Sequence, residues 1–197
     1  MALRLITDAT TEYLDLDDIK HHLRLSTAST VEDALLNSYI KAARYYAENY
    51  CKRAFGQQTW LLTLDAFPSS GIELARPPLS TASTDISITY VDSSGASQTL
   101  GTTVYTVDHY SEPGRITTAY ENDWPDNVRD QKNAVQITFK TGYLSSVVPD
   151  DVKHWTRLRV AQMYEHREPV VVGEGFSNLR RDYVDGLLDR HRVLIQL

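Results

Sequence analysis

The hydrophobic period of the chain changes twice, and no other sequence feature constrains the fold as strongly. Before residue 56, apolar residues recur every three to four positions, as on one face of a helix. Between residues 56 and 147 they fall in short alternating runs rich in β-branched and aromatic side chains, which indicate strands. After Pro149 the helical spacing returns. The chain is therefore predicted to have helical parts at both ends and a β region between them.

Two helices are predicted before residue 56. The first covers residues 15–25, and the second is long and ends near Arg53. A Ser-x-x-Glu pattern at residues 29–32 predicts a capping box at the start of the long helix. The apolar stripe of this helix is so wide that it requires burial on more than one side, by other helices or by another subunit. The stripe consists of Val31, Leu35, Tyr39, Ala42, Tyr46 and Tyr50, widened by Leu36, Ile40, Ala43 and Ala47.

Four short strands are predicted in the middle of the chain, because these runs alternate and are β-branched or aromatic. They lie at residues 59–65, 86–91, 104–107 and 134–139. After them, helices are predicted from Pro149 to about Arg167 and from residue 179 to residue 191, with a loop at residues 170–178.

These elements predict an α+β fold. The N- and C-terminal helices are expected to pack as a helical bundle, with a small antiparallel β unit inserted between them. We expect a single domain that spans residues 1–197. Its helical part comprises residues 1–55 and 148–197, and the β insertion comprises residues 56–147.

The charge balance and the cysteine content exclude several classes of protein. Twenty Lys and Arg residues against 26 Asp and Glu residues give a net charge of −6. An acidic surface disfavours tight binding of duplex DNA or of an anionic membrane. Cys51 is the only cysteine, so no intramolecular disulfide can form, and no segment approaches the ~18 apolar residues of a membrane span. We expect a protein made in a reducing cytoplasm, with no membrane partner.

Catalytic and cofactor-binding motifs are missing from the sequence. It contains no His-Glu-x-x-His metal motif, no Gly-x-Ser-x-Gly nucleophile elbow and no glycine-rich nucleotide loop. We therefore expect no enzymatic activity, no cofactor and no metal ion. A small hydrolase that uses His109 or His154 with nearby acids is kept as the outside alternative.

Arginine and tyrosine residues cluster in two regions. Arginines are enriched in the C-terminal third, where they form either solvated helix faces with ion pairs or an interface with a partner. Four tyrosines, Tyr39, Tyr45, Tyr46 and Tyr50, crowd the long helix. Such a group packs in a core by default, although an interface between subunits accepts amphipathic rings equally well.

Several segments taken together resemble one protein family. In chain order they are residues 14–24 (LDLDDIKHHLR), 33–36 (DALL) with 42–44 (AAR), 58–60 (QTW), 72–79 (IELARPPL), 88–92 (ITYVD), 111–116 (SEPGRI), 133–135 (NAV) with 141–143 (TGY), and 148–168, which begins VP and ends YEHRE. This ordered set resembles the head-tail connector (adaptor) proteins of tailed bacteriophages, prophages and gene-transfer-agent-like particles. Residues 173–197 match the family only loosely.

The resemblance implies a non-enzymatic virion protein at the head-tail interface, or neck, made in the cytoplasm of the host bacterium. Such proteins form a ring, implied here to be a dodecamer, beneath the portal. The ring extends the DNA channel, through which DNA passes without sequence-specific binding, and docks the next head-completion or tail-terminator protein. A tail-completion or tail-terminator ring protein is the alternative within the same class of virion proteins.

Under this resemblance, two sets of residues are expected to make contacts. The C-terminal residues 170–197 are expected to embrace the portal, and removal of residues 173–197 to leave the fold intact. The predicted portal or partner contacts are Arg180, Arg181, Tyr183, Arg190 and Arg192. The predicted subunit or core contacts are Tyr39, Arg44, Tyr45, Tyr46 and Trp155.

Overall fold

The chain divides into two compact units, each built from two separate stretches of sequence. The computed structural model describes residues 1–167 and 181–193. The β unit comprises Met1–Thr10 and Gln57–Gly142. The helical unit comprises Thr11–Gly56 and Tyr143–Leu197.

The β unit contains eight strands in two antiparallel sheets. The strands are β1 (Ala2–Thr7), β2 (Gln58–Leu64), β3 (Ile72–Leu74), β4 (Ile86–Val91), β5 (Ser97–Thr99), β6 (Tyr105–Asp108), β7 (Gly114–Thr118) and β8 (Val135–Thr141), with a 3₁₀ turn at Ser83–Asp85. A five-stranded sheet has the order β1-β2-β8-β4-β5, and a three-stranded sheet has the order β3-β7-β6.

Alternating side chains of the central strands form the core of the β unit. In the five-stranded sheet, Ile137 of β8 lies opposite Leu62 of β2 on one side and Ile88 of β4 on the other. All three side chains are fully or almost fully buried. Since burial of such a side chain contributes roughly 1.5–3 kcal/mol, this register is strongly preferred over a one-residue slip of β8, which would turn Ile137 to the opposite face of the sheet.

The helical unit contains four helices within the described residues. They are α1 (Leu16–His22), α2 (Asp33–Cys51), α3 (Asp150–Glu165) and α4 (Arg181–Asp189), with a 3₁₀ turn at Ser145–Val147. The long helix α2 packs against each of the other three helices, and α3 also packs against α1 and α4. Their common core includes Ile19, Leu36, Ile40, Val152 and Trp155. Helices from distant parts of the sequence therefore share one interior.

The predicted helical bundle with a small β insertion is wrong. Strands make up a large part of the chain, which is an α+β protein with four described helices and two antiparallel sheets. The N-terminal residues, expected to belong to the helical part, form β1 at the edge of the five-stranded sheet. Strands β3 and β5 have only three residues each, too few to produce a recognisable alternation.

The predicted capping box at the start of α2 is also wrong. Helix α2 begins at Asp33, and its N-cap residue Glu32 makes no capping side-chain hydrogen bond. The Glu32 carboxylate instead accepts hydrogen bonds from the Tyr164 hydroxyl and from Arg167 Nη2, the latter at 2.7 Å. These two bonds lower the pKa of Glu32. A partner on α3 has thus replaced the local capping interaction.

The apolar stripe of α2 is rotated relative to the prediction. The buried residues of the helix are Leu36, Ile40, Ala43, Arg44, Ala47, Glu48 and Cys51. Tyr39, Tyr46 and Tyr50 are half-buried and flank this face, and Val31, before the helix, is 89% exposed. The tyrosines therefore lie at the border of the core, which suits a residue with an apolar ring and a polar hydroxyl. Among the described residues, no helix is long and apolar enough to cross a bilayer.

Candidate interaction surfaces

Side-chain hydrogen bonds hold α4 against α2 and α3. The Tyr50 hydroxyl donates to Asp189 Oδ1 at 2.6 Å, and Trp155 Nε1 donates to Asp185 Oδ1 at 3.2 Å. Leu188 lies between these two acids in sequence and is fully buried in the core of the unit. The C-terminal part of the chain is thus anchored at α4 by one apolar side chain and two acids.

Asp151, at the start of α3, makes a second anchor just beyond α4. His191 Nε2 lies 2.9 and 3.0 Å from the two carboxylate oxygens of Asp151, and Arg190 Nε lies 3.2 Å from one of them. Burial alone would raise the pKa of Asp151, but the hydrogen bond and the charge of His191, the Val152 amide and the charge of Arg190 together lower it. The carboxylate is therefore held in its charged form by these groups.

Aromatic rings and arginines form a continuous row on the helical unit. The Tyr46 ring stacks on Trp155 with centroids 5.6 Å apart and on Tyr50 with centroids 6.2 Å apart. The guanidinium carbon of Arg159 lies 5.5 Å from the Tyr46 ring, and that of Arg192 lies 5.1 Å from the Tyr50 ring. We call these five residues the aromatic-arginine row. Its residue types are those enriched in protein interfaces.

Arg44 lies at the centre of a buried ion-pair cluster. Its side chain is inaccessible to solvent, and its guanidinium donates to both carboxylate oxygens of Glu12 at 2.8 and 3.2 Å and to Glu48 Oε2 at 3.2 Å. The other oxygen of Glu48 accepts hydrogen bonds from the Phe55 and Gly56 amides at 3.0 and 3.1 Å. This cluster ties the segment before α1 and the segment after α2 to the middle of α2.

The residues predicted to contact the portal fall in and beside α4. Arg180 lies outside the described residues, as do residues 168–179 and 194–197 of the C-terminal segment. Arg181 and Tyr183 belong to α4, but their side chains are not among those described. The side chains of Arg190 and Arg192 are 73% and 51% exposed, and each pairs with an acid of its own unit. Both retain a large surface for a partner.

The residues predicted as subunit or core contacts differ in how far they are buried. Arg44 and Trp155 are completely buried. Tyr39 and Tyr46 are half-buried against the core. Tyr45 is exposed, and the guanidinium of Arg44 lies 4.7 Å from its ring centroid.

The two histidines of the hydrolase alternative lie in different units. His109 is half-buried in the loop between β6 and β7, and its Nδ1 atom is buried with no hydrogen-bond partner. His154 is exposed on α3. Among the described residues, no group of three His, Cys, Asp or Glu side chains could hold a metal ion.

A small cavity of about 170 Å³ lies beside α1 and the start of α2. It is lined by Lys20, Leu25, Ser26, Ser29, Glu32, Asp33 and Leu36. Lys20, although almost fully buried, donates to the Ser29 carbonyl at 2.8 Å and pairs with Asp33 at 2.6 Å. Its ammonium group is therefore engaged within the protein, and the cavity is smaller than the roughly 300–1,000 Å³ of a typical ligand site.

Cys51 is buried in the same core as Leu188. Its thiol donates a weak hydrogen bond to the Leu188 carbonyl at 3.5 Å, and burial raises the pKa of the thiol to about 12. Such a thiol remains protonated and poorly reactive at neutral pH.

The acids that hold α4 were not predicted from the sequence. Asp185 binds Trp155, 30 positions away, and Asp189 binds Tyr50, 139 positions away, while Asp151 binds His191, 40 positions away. The one available signal was their placement: Asp185 and Asp189 are four residues apart, hence on one side of α4.

Comparison with known proteins places the chain in a family. Residues 13–112, half of the chain, match the family of phage gp6-like head-tail connector proteins. No curated protein sequence matches the chain. Among solved structures, the chain is similar to a protein in the neck of an empty gene transfer agent particle computed with C6 symmetry, with a TM-score of 0.78 and 24% identity over 100% of this chain and 98% of that one.

Two further structures show the same likeness of fold. A protein of the virion of a native gene transfer agent particle has a TM-score of 0.77 and 23% identity. A protein of the neck of a native particle, computed with C12 symmetry, has a TM-score of 0.74 and 23% identity. In both cases the match covers 100% of this chain and 98% of the other. Because the sequence match covers half of the chain, from α1 to strand β6, the chain belongs to the gp6-like head-tail connector family of phage proteins.

Proposed function

We propose that this protein is a structural connector in the neck of a tailed phage or phage-like particle. It assembles as a homo-oligomeric ring beneath the portal, extends the DNA channel and docks the next head-completion or tail-terminator protein. The observation that carries the proposal is the family match over residues 13–112. The whole-chain fold likeness to proteins of gene transfer agent necks supports the same place in the particle.

A ring of twelve subunits fits the symmetries of the similar particles. One neck was computed with C6 symmetry and another with C12 symmetry, and a dodecamer is compatible with both. Light scattering of the purified protein, alone and with portal, measures the number of subunits directly. Ring-shaped particles in negative stain, stacked coaxially on portal, are the expected result. A chain that remains monomeric with and without portal would contradict the proposal.

The acidic charge of the chain suits a channel component. A net charge of −6 repels the DNA backbone, so that DNA would slide past the ring without binding it. The proposed role is structural and not catalytic, in keeping with the family and with a small cavity in which Lys20 is already paired. On this proposal the subunits are made in the host cytoplasm and end in the neck of the virion.

The C-terminal region is the proposed portal-binding segment. Deletion of residues 173–197 does not test this cleanly, because it would remove the buried Leu188 and the acids that bind Tyr50 and Trp155. A double substitution, Arg190→Gln with Arg192→Gln, removes two exposed positive charges and keeps the helix. Reduced co-sedimentation with portal is the expected result.

Arg115→Gln is the matched control for this experiment. Arg115 lies on β7, its side chain is 56% exposed, and like the C-terminal arginines it pairs with an acid, Glu73 at 2.9 Å. Its substitution is expected to leave portal binding unchanged. Equal loss of binding in both proteins would indicate a general charge effect and would argue against a specific C-terminal contact. Binding to tail tubes in place of portal would favour the tail-terminator alternative.

A further inference from the structure

Strand β1 is an edge of the five-stranded sheet and is exposed along its length. It pairs with β2 alone, and none of its six residues is buried. Leu3 is 36% exposed and Ile6 is 51% exposed. An edge strand carries backbone N–H and C=O groups that no strand of its own sheet pairs, and these are available to a strand from another chain.

The apolar face of the sheet continues onto β1 beyond the core. Leu3 lies opposite Leu62, and Leu5 lies opposite Trp60. In an antiparallel ladder, opposite residues share a face of the sheet, so both leucines lie on the same face as the buried Leu62. Neither leucine belongs to the core cluster or to the residues packed against it. The β unit therefore exposes an apolar rim along β1.

The sequence of β1 has few of the features that protect an edge strand. It contains no proline and a single charge, Arg4, which lies opposite Leu61 on the other face of the sheet. A bulge between Leu5 and Thr7 interrupts the ladder, but the pairing is regular from Ala2 to Leu5. Natural proteins usually block exposed edges with charges, proline or bulges along the strand. Residues 2–5 are thus suited to pairing.

The opposite edge of the sheet is β5, and it runs in the same direction as β1. All four ladders of this sheet are antiparallel, so the first and fifth strands in the order β1-β2-β8-β4-β5 point the same way. The three residues of β5 are exposed, and β5 pairs only with β4. A closed ring requires two different surfaces that meet head to tail, whereas pairing of β1 with a second β1 would end at a dimer.

We propose that β1 of one subunit pairs in parallel with β5 of the next subunit, which joins the five-stranded sheets of neighbouring copies around the ring. The strand that pairs with β1 belongs to a second copy of the chain for two reasons. The two edges of the sheet, β1 and β5, run in the same direction, as a rotational assembly needs, and Leu3 and Leu5 would then be covered. This inference rests on the proposed ring, in which the β1–β5 contact would join neighbouring subunits.

Cysteine cross-linking tests the pairing directly. By the register of the ladders, Arg4, Ser97 and Thr99 all lie on the face opposite the core. Arg4→Cys is combined with Ser97→Cys in one protein and with Thr99→Cys in another, which covers two registers of pairing. Cα atoms in paired strands lie close enough for a disulfide, and the buried Cys51 should not react. After mild oxidation of assembled protein, at least one of the two proteins is expected to give a ladder of multimers on a non-reducing gel.

Single-cysteine proteins and an assembly assay complete the test. Each single variant is expected to remain uncross-linked, and dimers from Arg4→Cys alone would overturn the proposal in favour of β1 pairing with β1. Leu3→Lys should abolish rings while the circular dichroism spectrum of the monomer is retained. Val31→Lys places the same charge at an exposed apolar residue of the helical unit, and it is expected to assemble normally.

The experiments distinguish a wrong β1–β5 contact from a wrong connector role. If the unsubstituted protein forms rings but neither double-cysteine protein cross-links and Leu3→Lys still assembles, the β1–β5 contact is wrong and the connector role stands. If cysteine at position 4 cross-links only to portal, the occupant is a different protein and the proposal is overturned. If no ring forms under any condition, the ring and this interface are overturned together.

Discussion

The two units have interiors of different chemistry. The core of the β unit is formed by aliphatic and aromatic side chains, and in its described residues Asp92 is the only charged side chain that is buried. In the helical unit, Lys20, Arg44, Glu48 and Arg53 are all buried beside the apolar core.

This difference follows from how neighbouring elements are held together in each unit. In the β unit only the β4–β5 and β6–β7 pairs are joined by a short turn, but backbone ladders and the alternation of side chains fix the register of every pair. Its buried charge, Asp92, acts locally by accepting hydrogen bonds within its own hairpin. The helical unit joins segments about 100 residues apart, and helices can rotate or slide against one another. Buried ion pairs with few alternative partners can select one arrangement, as at Arg44.

The largest effect is expected from Arg44→Met. This change removes the Arg44 cation from its ion pair with the buried Glu48, and loss of one partner of a buried ion pair costs about 3–5 kcal/mol. The free energy of unfolding is measured with urea in a Trp60→Phe, Trp124→Phe background, in which Trp155 alone reports on the helical unit. The double substitution Arg44→Met, Glu48→Gln should recover part of the loss. A loss below about 1 kcal/mol would show that the cluster does not stabilise the unit.

A smaller, pH-dependent effect is expected from Asp151→Asn. The change removes the charged acceptor of His191, and such a hydrogen bond contributes about 1.5–3 kcal/mol. Because the pKa of Asp151 is lowered in the folded protein, its stabilisation is complete above the carboxyl's unfolded-state pKa of about 3.9 and is lost as the pH falls through the lower, folded value. Unfolding curves of the two proteins should therefore differ at pH 7 and converge in acid. Parallel curves down to pH 2 would contradict this role.

Ile137→Val tests the apolar interior of the β unit. Removal of one methyl group from this buried residue should cost about 0.5–1.5 kcal/mol. No ionisable group is involved, so the loss should be the same at pH 7 and pH 5. It is followed by the fluorescence of Trp60 and Trp124 in a Trp155→Phe background. A loss that changes with pH would mean that the interiors of the two units are less different than the structure indicates.

A gain in stability, similar in size to the loss at Ile137, is expected from Gly186→Ala. Gly186 lies within α4, and an added Cβ would meet no atom within 4 Å. Alanine is favoured over glycine in a helix interior by about 0.8–1.0 kcal/mol. Amide hydrogen exchange in α4 should slow, while exchange in β8 remains unchanged. Faster exchange in α4 would indicate that the backbone at this position makes a contact that the side chain disturbs.

The extent to which the sequence predicts the fold also differs between the units. Helices α2 and α3 and strands β4 and β8 were predicted within a few residues, because each is long enough to show its period. Strand β1 was missed because its alternation is limited to Leu3 and Leu5, with Ile6 directly after them, and none of its side chains is buried. The size of the β unit was underestimated for the same reason.

Contacts between distant residues could not be predicted. The sequence predicted that Tyr46 and Trp155 make subunit or core contacts, but it did not indicate that their rings stack on each other. Glu32 is an example. Its spacing from Ser29 predicts a helix cap, but in the folded protein its carboxylate binds Tyr164 and Arg167. A pair 132 residues apart leaves no local trace in a single sequence.

The position of Cys51 has a consequence for the lifetime of a particle outside the cell. A subunit of the proposed neck would be made in a reducing compartment and then be exposed to oxidants for as long as the particle survives. Because the thiol is buried and its pKa is raised to about 12, oxidation to a sulfenic acid or to a disulfide between subunits is disfavoured. The ring would therefore leave the host with the same covalent structure that it had when it assembled.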